Sequence, residues 1–162
     1  MVNRALTSLE ALALAVRSEI ESTHLYDALA SRAENPEARR LLRELAADEE
    51  SHRAALMKRY RQQLGDQEPS IPLDDGRDKR LSLGADADHA AVIRAAHAKE
   101  VESETFYKRA ALEVNDFKTR AFFLGLAETE RQHGVALGRM LKELSKDPHW
   151  LERKEEAVHE GP

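Results

Sequence analysis

The chain contains no cysteine. It therefore has no disulfide frame, thiolate zinc site, iron–sulfur cluster or thiol nucleophile, and any metal must be held by carboxylates and imidazoles. Aromatic residues make up 5% of the 162 positions, and there are 7 glycines, 5 prolines and one tryptophan. So few breakers point to a handful of long regular elements. No apolar run approaches the roughly 20 residues of a membrane helix. The stretch Ala11 to Val16 is too short for a secretory signal and is flanked by Glu10 and Glu19, so a cytoplasmic protein is expected. Basic charge is in deficit, with 25 Lys+Arg against 30 Asp+Glu and a net charge of -5, which argues against a nucleic-acid partner. Hydrophobic residues reach 41% and recur periodically, which excludes a disordered chain. The length suits one domain spanning 1–162.

The punctuation predicts four long helices. Thr7-Ser8-Leu9-Glu10 reads as a capping box, and apolar residues then recur at helical spacing to about Ala33. Asn35-Pro36 is an N-cap followed by proline at the first helical position, opening a helix to about Gln63 that Gly65 stops. A turn-rich stretch follows, and Asp86 or Asp88 can cap a third helix reaching about Val114. Asp116 can cap a fourth ending near Lys146, before a short tail or further helix with Trp150. The expected parts are hairpin one at about 7–64, a connection at about 65–86, hairpin two at about 87–146 and a tail at 147–162. A helix of about 25 residues is about 37 Å long, and about 20 extended residues can span it. The expected architecture is all-α, a four-helix bundle of two hairpins with one long crossover.

The two halves repeat at an offset of 81 residues. Leu45, Ala46, Glu49 and His52 find identical partners in Leu126, Ala127, Glu130 and His133. Glu19, Glu21, Ser22 and Tyr26 likewise match Glu100, Glu102, Ser103 and Tyr107. One ungapped offset relates both helix pairs, which implies two equivalent hairpins about a pseudo-two-fold axis.

Glu-x-x-His alone decides nothing, since chance supplies about one in a chain of this composition. The sequence has four: Glu21/His24, Glu49/His52, Glu130/His133 and Glu156/His159. Periodicity separates them. Leu42, Leu45, Glu49, His52 and Leu56 form one stripe, and Phe123, Leu126, Glu130, His133 and Leu137 form its counterpart. Glu21/His24 lies off its stripe and Glu156/His159 sits in a charged tail, so both read as solvated, as do His89 and His149. Glu19 and Glu100 fall on the inward stripes of helices one and three, whereas Glu21 and Glu102 lie about 200° around. Four carboxylates and two imidazoles thus converge in an apolar bundle. Without counter-charge such carboxylates repel and take up protons, while two divalent cations would cancel them.

One Glu from each of two helices plus Glu-x-x-His from the other two resembles the ferritin-like di-iron or di-manganese carboxylate site. Tyr26, seven residues after Glu19, is at a spacing similar to that in ferritins and rubrerythrins. Residues 8–145 carry the resemblance, and Asp48-Glu49-Glu50-Ser51-His52-Arg53 and Thr105-Phe106-Tyr107-Lys108-Arg109-Ala110-Ala111 look like the rubrerythrin-like, or erythrin, branch. That resemblance implies that Glu19, Glu49 and His52 hold one metal and that Glu100, Glu130 and His133 hold the other. Glu49 and Glu130 are its candidates for bridging. Tyr26 and Tyr107 are either hydrogen-bond donors or radical relays beside the site, or core aromatics. His97 and Glu104 are candidate extra ligands. The chain departs from rubrerythrins in lacking the cysteines of a rubredoxin module. It also has His97 and Ser103 where the third helix usually offers a second glutamate three residues from Glu100. The transmembrane half of membrane-anchored relatives is absent too.

An oxygen-rich donor set with one imidazole per metal suits Fe(II) or Mn(II). The resemblance implies a di-iron protein that oxidises Fe(II) with O2 or H2O2, drawing on an external electron donor, in iron handling or oxidative-stress defence. A di-manganese catalase-like enzyme and a non-enzymatic metal-binding bundle are the alternatives, the tail with Trp150 and Leu151 favouring docking in the latter. A homo-oligomer is expected, with Leu14 and Leu25 off the main stripe as its surface. Gly125, Gly134 and Gly138 suggest close helix approach or access near His133.

Overall fold

The computed structural model describes residues 7–67, 69–71, 83–84 and 86–154. Its elements are α1 (Ser8–Arg32), α2 (Pro36–Leu64), α3 (His89–Glu113), α4 (Phe117–Lys146) and a 3-10 turn at Trp150–Glu152. Each long helix opens on a side-chain cap that satisfies an otherwise free backbone N–H. Thr7 and Glu10 form the reciprocal box at 3.2 and 2.7 Å. Asn35 accepts from Ala38 N–H at 3.0 Å and Asp116 from Thr119 N–H at 2.7 Å. Of the two candidates for α3, Asp88 is the cap, accepting from Ala91 N–H at 3.2 Å. Gly65 closes α2 at φ 62, a left-handed value that glycine adopts without a Cβ clash.

Cross-bundle contacts fix the topology. Tyr26 bonds Glu100 and Tyr107 bonds Glu19, so as α1 advances its partner on α3 recedes. Helices α1 and α3 are therefore antiparallel. Since each hairpin is antiparallel too, α2 and α3 run parallel, and their connection must return the length of the bundle. Its described ends agree: Ile71 packs beside Leu56 and Tyr60, while Leu83 packs with the cluster holding Val92 and Ile93. Tyr60 Oη pins the start through Ser70 O and N at 3.0 and 3.2 Å. Arg32 pins the end by donating to the carbonyls of Leu83 and Gly84, both at 2.9 Å. This is an all-α, ferritin-like four-helix bundle. Among the described residues no helix is long and apolar enough to cross a membrane.

The core divides in two. One cluster gathers Leu12, Val16, Leu56, Tyr60, Tyr107, Phe123 and Leu126; the other gathers Leu25, Leu29, Leu42, Leu45, Ile93, Leu137 and Met140. On every helix the stripe passes from one cluster to the other through the charged positions. Glu19, Glu49, His52, Glu100, Glu130 and His133 lie between the two apolar layers.

Three expectations need correcting. Leu25 is only 7% exposed and belongs to the core, so it offers no subunit surface; Leu14 is half-buried. A helix in a bundle faces two neighbours, and its buried face is wider than one stripe. The large exposed apolar residues among those described are Val101, Leu112, Phe117, Leu124 and Val135, all on hairpin two. The described part of the tail, 147–154, is not free for docking through its apolar pair: Trp150 and Leu151 are buried, and Leu151 O accepts from Glu34 and Asn35 N–H at 2.8 and 3.0 Å. The helix-four glycines do not mark forced approaches. A methyl on Gly125 meets nothing, and on Gly134 or Gly138 it would meet Glu100 Cβ or His97 Nε2 at an ordinary 3.9 or 4.0 Å.

Candidate metal centre

The six stripe residues arrive from four helices and are all buried, from 0% exposure for Glu49 to 9% for His52. Their ligand atoms fall into two groups, each within 4.8 Å. The first joins Glu19, Glu49, His52 and Glu130; the second joins Glu49, Glu100, Glu130 and His133. Glu49 and Glu130 belong to both. Each imidazole turns Nδ1 inward and lies against the glutamate of the opposite hairpin. His133 Nδ1 is 3.1 Å from Glu49 Oε1, and His52 Nδ1 is 2.9 Å from Glu130 Oε1. The two rings lie 5.8 Å apart.

The tyrosines exchange partners across the pseudo-two-fold. Tyr26 on α1 donates to Glu100 on α3, and Tyr107 on α3 donates to Glu19 on α1. Burial, reinforced by the surrounding carboxylates, pushes both phenols well above their ordinary range, so they keep their protons and serve as donors. Each tyrosine comes from a different apolar layer, so the two cover the site from opposite ends.

Protonation in the absence of metal follows from burial. Desolvation, then the contact with Glu49, raises Glu19 to about 7. Desolvation and neighbouring Glu130 hold Glu100 well above the carboxylate range, and desolvation also raises Glu130. Burial opposes the charge on Glu49 too, but contacts with Glu19, His133 and His52 outweigh it and hold that carboxyl low. Burial disfavours the imidazolium at His52, yet Glu130, Glu19 and Glu49 overcome this and raise it to about 12. His133 is raised in the same way, chiefly by Glu49. Protons here supply the counter-charge that a buried acidic cluster demands.

Even so the cluster is not satisfied. Glu49 Oε2, Glu130 Oε1 and His52 Nδ1 are buried without a hydrogen-bond partner, the 2.9 Å approach of the last two being out of line. Orphaned buried polar atoms cost about 1–3 kcal/mol each. Three of them on residues of the two groups are a donor set that fits divalent cations. The carboxylate-rich composition, with one imidazole per group, suits Fe(II) or Mn(II).

The structure places His97 and Glu104 outside both groups. His97 is half-buried one turn before Glu100 and faces Gly138, while Glu104 is tied to Lys108 one turn along its own helix. Glu21 is half-buried and paired with Arg17 and Lys99 at 2.9 and 3.7 Å. Glu102, His24 and His149 are exposed, His89 is half-buried, and Glu156/His159 lies outside the described residues. One residue escaped the sequence reading. Asp48 Oδ2 lies 3.2 Å from Nε2 of His133. A signal was present, because Asp48 faces Thr129 in the repeat, a break beside the best-matched residues.

A crossover bundle with four glutamates and two histidines between two apolar layers defines the class of ferritin-like carboxylate proteins. Within it, residues 10–141 match the rubrerythrin family, and the chain belongs to that family. Among solved structures it is similar to a hypothetical protein from Pyrococcus furiosus, at 23% identity and a TM-score of 0.75 over 87% of this chain and 92% of that one. That likeness concerns the fold. No curated protein is significantly similar to the chain.

Proposed function

We propose that the chain is a di-iron carboxylate protein that oxidises Fe(II) with O2 or H2O2, serving iron handling or peroxide defence. The observation that carries this reading is the pair of four-donor groups sharing Glu49 and Glu130, with three of their atoms left unpartnered. In this reading Glu19, Glu49, His52 and Glu130 would hold one ion and Glu49, Glu100, Glu130 and His133 the other, with Glu49 and Glu130 common to both groups. Two divalent ions balance four carboxylates and leave both imidazoles neutral, as nitrogen ligation requires. When bound, the ions supply paired one-electron redox chemistry, so a two-electron oxidant is reduced without a further cofactor.

The protein's own part is positioning and exclusion. Tyr107 and Tyr26 donate to Glu19 and Glu100, which restrains those carboxylates and keeps one oxygen of each engaged. The two apolar layers keep bulk water away, which strengthens the electrostatics within. With no cysteine there is no thiolate-ligated iron to feed the site, so electrons for each further oxidant would come from incoming Fe(II) or from an external donor.

Anaerobic loading of the metal-free protein with Fe(II), followed by O2 or H2O2, tests this. Two ions per chain and a fast ferric absorption band with either oxidant are expected. Fewer than one ion per chain, unchanged in Glu49→Ala or His133→Ala, overturns it. Loading with Mn(II) and finding oxygen release from peroxide would instead assign catalase chemistry to the same residues.

A further inference from the structure

Building on that reading, we infer that the two metal positions are inequivalent, and that Asp48 is a positioning residue that makes the His133 position the tighter one. The repeat predicts equality: every residue in the two groups has an identical counterpart at an offset of 81. Equality fails one residue before each Glu-x-x-His. Asp48 precedes Glu49, and Thr129 precedes Glu130. Asp48 reaches across to the other hairpin, its Oδ2 lying 3.2 Å from His133 Nε2. Thr129 stands in the equivalent place opposite His52, but its hydroxyl donates down its own helix to Gly125 O at 3.2 Å. Among the described residues, Nε2 of His52 has no hydrogen-bond partner.

The consequence is chemical. A carboxylate accepting from Nε2–H fixes the imidazole tautomer, orients the ring and makes the inward Nδ1 a better donor. His133 has that support and His52 does not. Asp48 also brings a negative charge to the edge of the second group. Its own side chain is 58% exposed, so it can be replaced without disturbing the core.

Titration of the metal-free protein with Mn(II) tests this, using calorimetry together with electron paramagnetic resonance. The wild type is expected to fill in two steps. The first equivalent gives the six-line spectrum of an isolated ion, and the second replaces it with the spectrum of a coupled pair. Asp48→Ala should weaken the first step by about 10- to 100-fold, the usual effect of removing such a partner, so that the steps converge. Asp48→Glu should restore part of the separation, and Thr129→Asp should tighten the second step. Circular dichroism checks that each variant keeps its helix content. Two ions bound with equal affinity in the wild type, or both steps unchanged in Asp48→Ala, overturns the inference while leaving the two-metal reading intact. A wild type that takes up no second ion overturns that reading itself.

Discussion

Glu49 and Glu100 are equally deep, at 0% and 1% exposure, yet their surroundings push the two carboxyls in opposite directions. Contacts with Glu19, His133 and His52 hold the Glu49 carboxyl low and favour its charge, whereas burial beside Glu130 pushes Glu100 well above the carboxylate range and favours its protonated form. An amide imitates a protonated carboxyl far better than an ionised one. In the metal-free protein at pH 7, Glu100→Gln should therefore leave the melting temperature nearly unchanged. Glu49→Gln leaves His52 and His133 without their shared counter-charge and should cost about 3 kcal/mol, as breaking a buried ion pair does. Thermal melts in chelator decide the matter, and equal losses in the two variants would refute the assignment. The partner choices behind these charges were only half visible in the sequence. The stripe chose Glu19 over Glu21 because a helical period acts within one helix. It did not show that each tyrosine serves the glutamate of the other helix, which depends on α1 and α3 running antiparallel.

The four helices and their caps were legible because capping is local. Thr7 with Glu10, Asn35 with Pro36, and Asp116 each act within one turn. The seating of the tail was not, since it joins Leu151 to Glu34 and Asn35 across most of the chain. There the 3-10 turn holds the fold together at one end. The Leu151 carbonyl satisfies two N–H groups at the sharp α1–α2 junction, while Trp150 closes the apolar layer holding Leu25 and Leu42. Trp150→Ala should then destabilise the protein by about 3–5 kcal/mol, the range for removing a buried large aromatic. Metal stoichiometry should stay at its wild-type value, because this layer lies to one side of the centre. Denaturant melts alongside metal analysis separate the two effects. A variant of full stability would show that the tail is not seated in solution, and the docking role expected from its sequence would return.

Taken whole, the molecule folds around groups that prefer different protons in the folded and unfolded states. His52 is raised from about 6.5 to about 12, so its stabilising contribution is complete below pH 6.5 and is lost as pH rises toward 12. His133 is raised as well and acts with the same sign. Glu19, raised from 4.5 to about 7, contributes below pH 4.5 and loses that contribution as pH rises through 7. Glu100 and Glu130 follow it, being raised by the same burial. Within the cluster only Glu49 opposes, and its window, like those of the lowered surface carboxylates Glu50, Asp116 and Glu128, lies below pH 4.5. Between pH 6 and 9 all the active shifts point one way, so the metal-free protein should lose stability with rising pH. The slope is at most about 1.4 kcal/mol per pH unit for each proton held by the folded state alone. Metal reverses the sign, because it takes the place of those protons and binds only the deprotonated ligands. Metal affinity should therefore climb over the same interval, with protons released on loading. Melts with and without metal at pH 6, 7.5 and 9 should diverge, and release in unbuffered solution should count more than one proton per ion. Parallel curves in the two states would mean that the six residues do not exchange protons for metal.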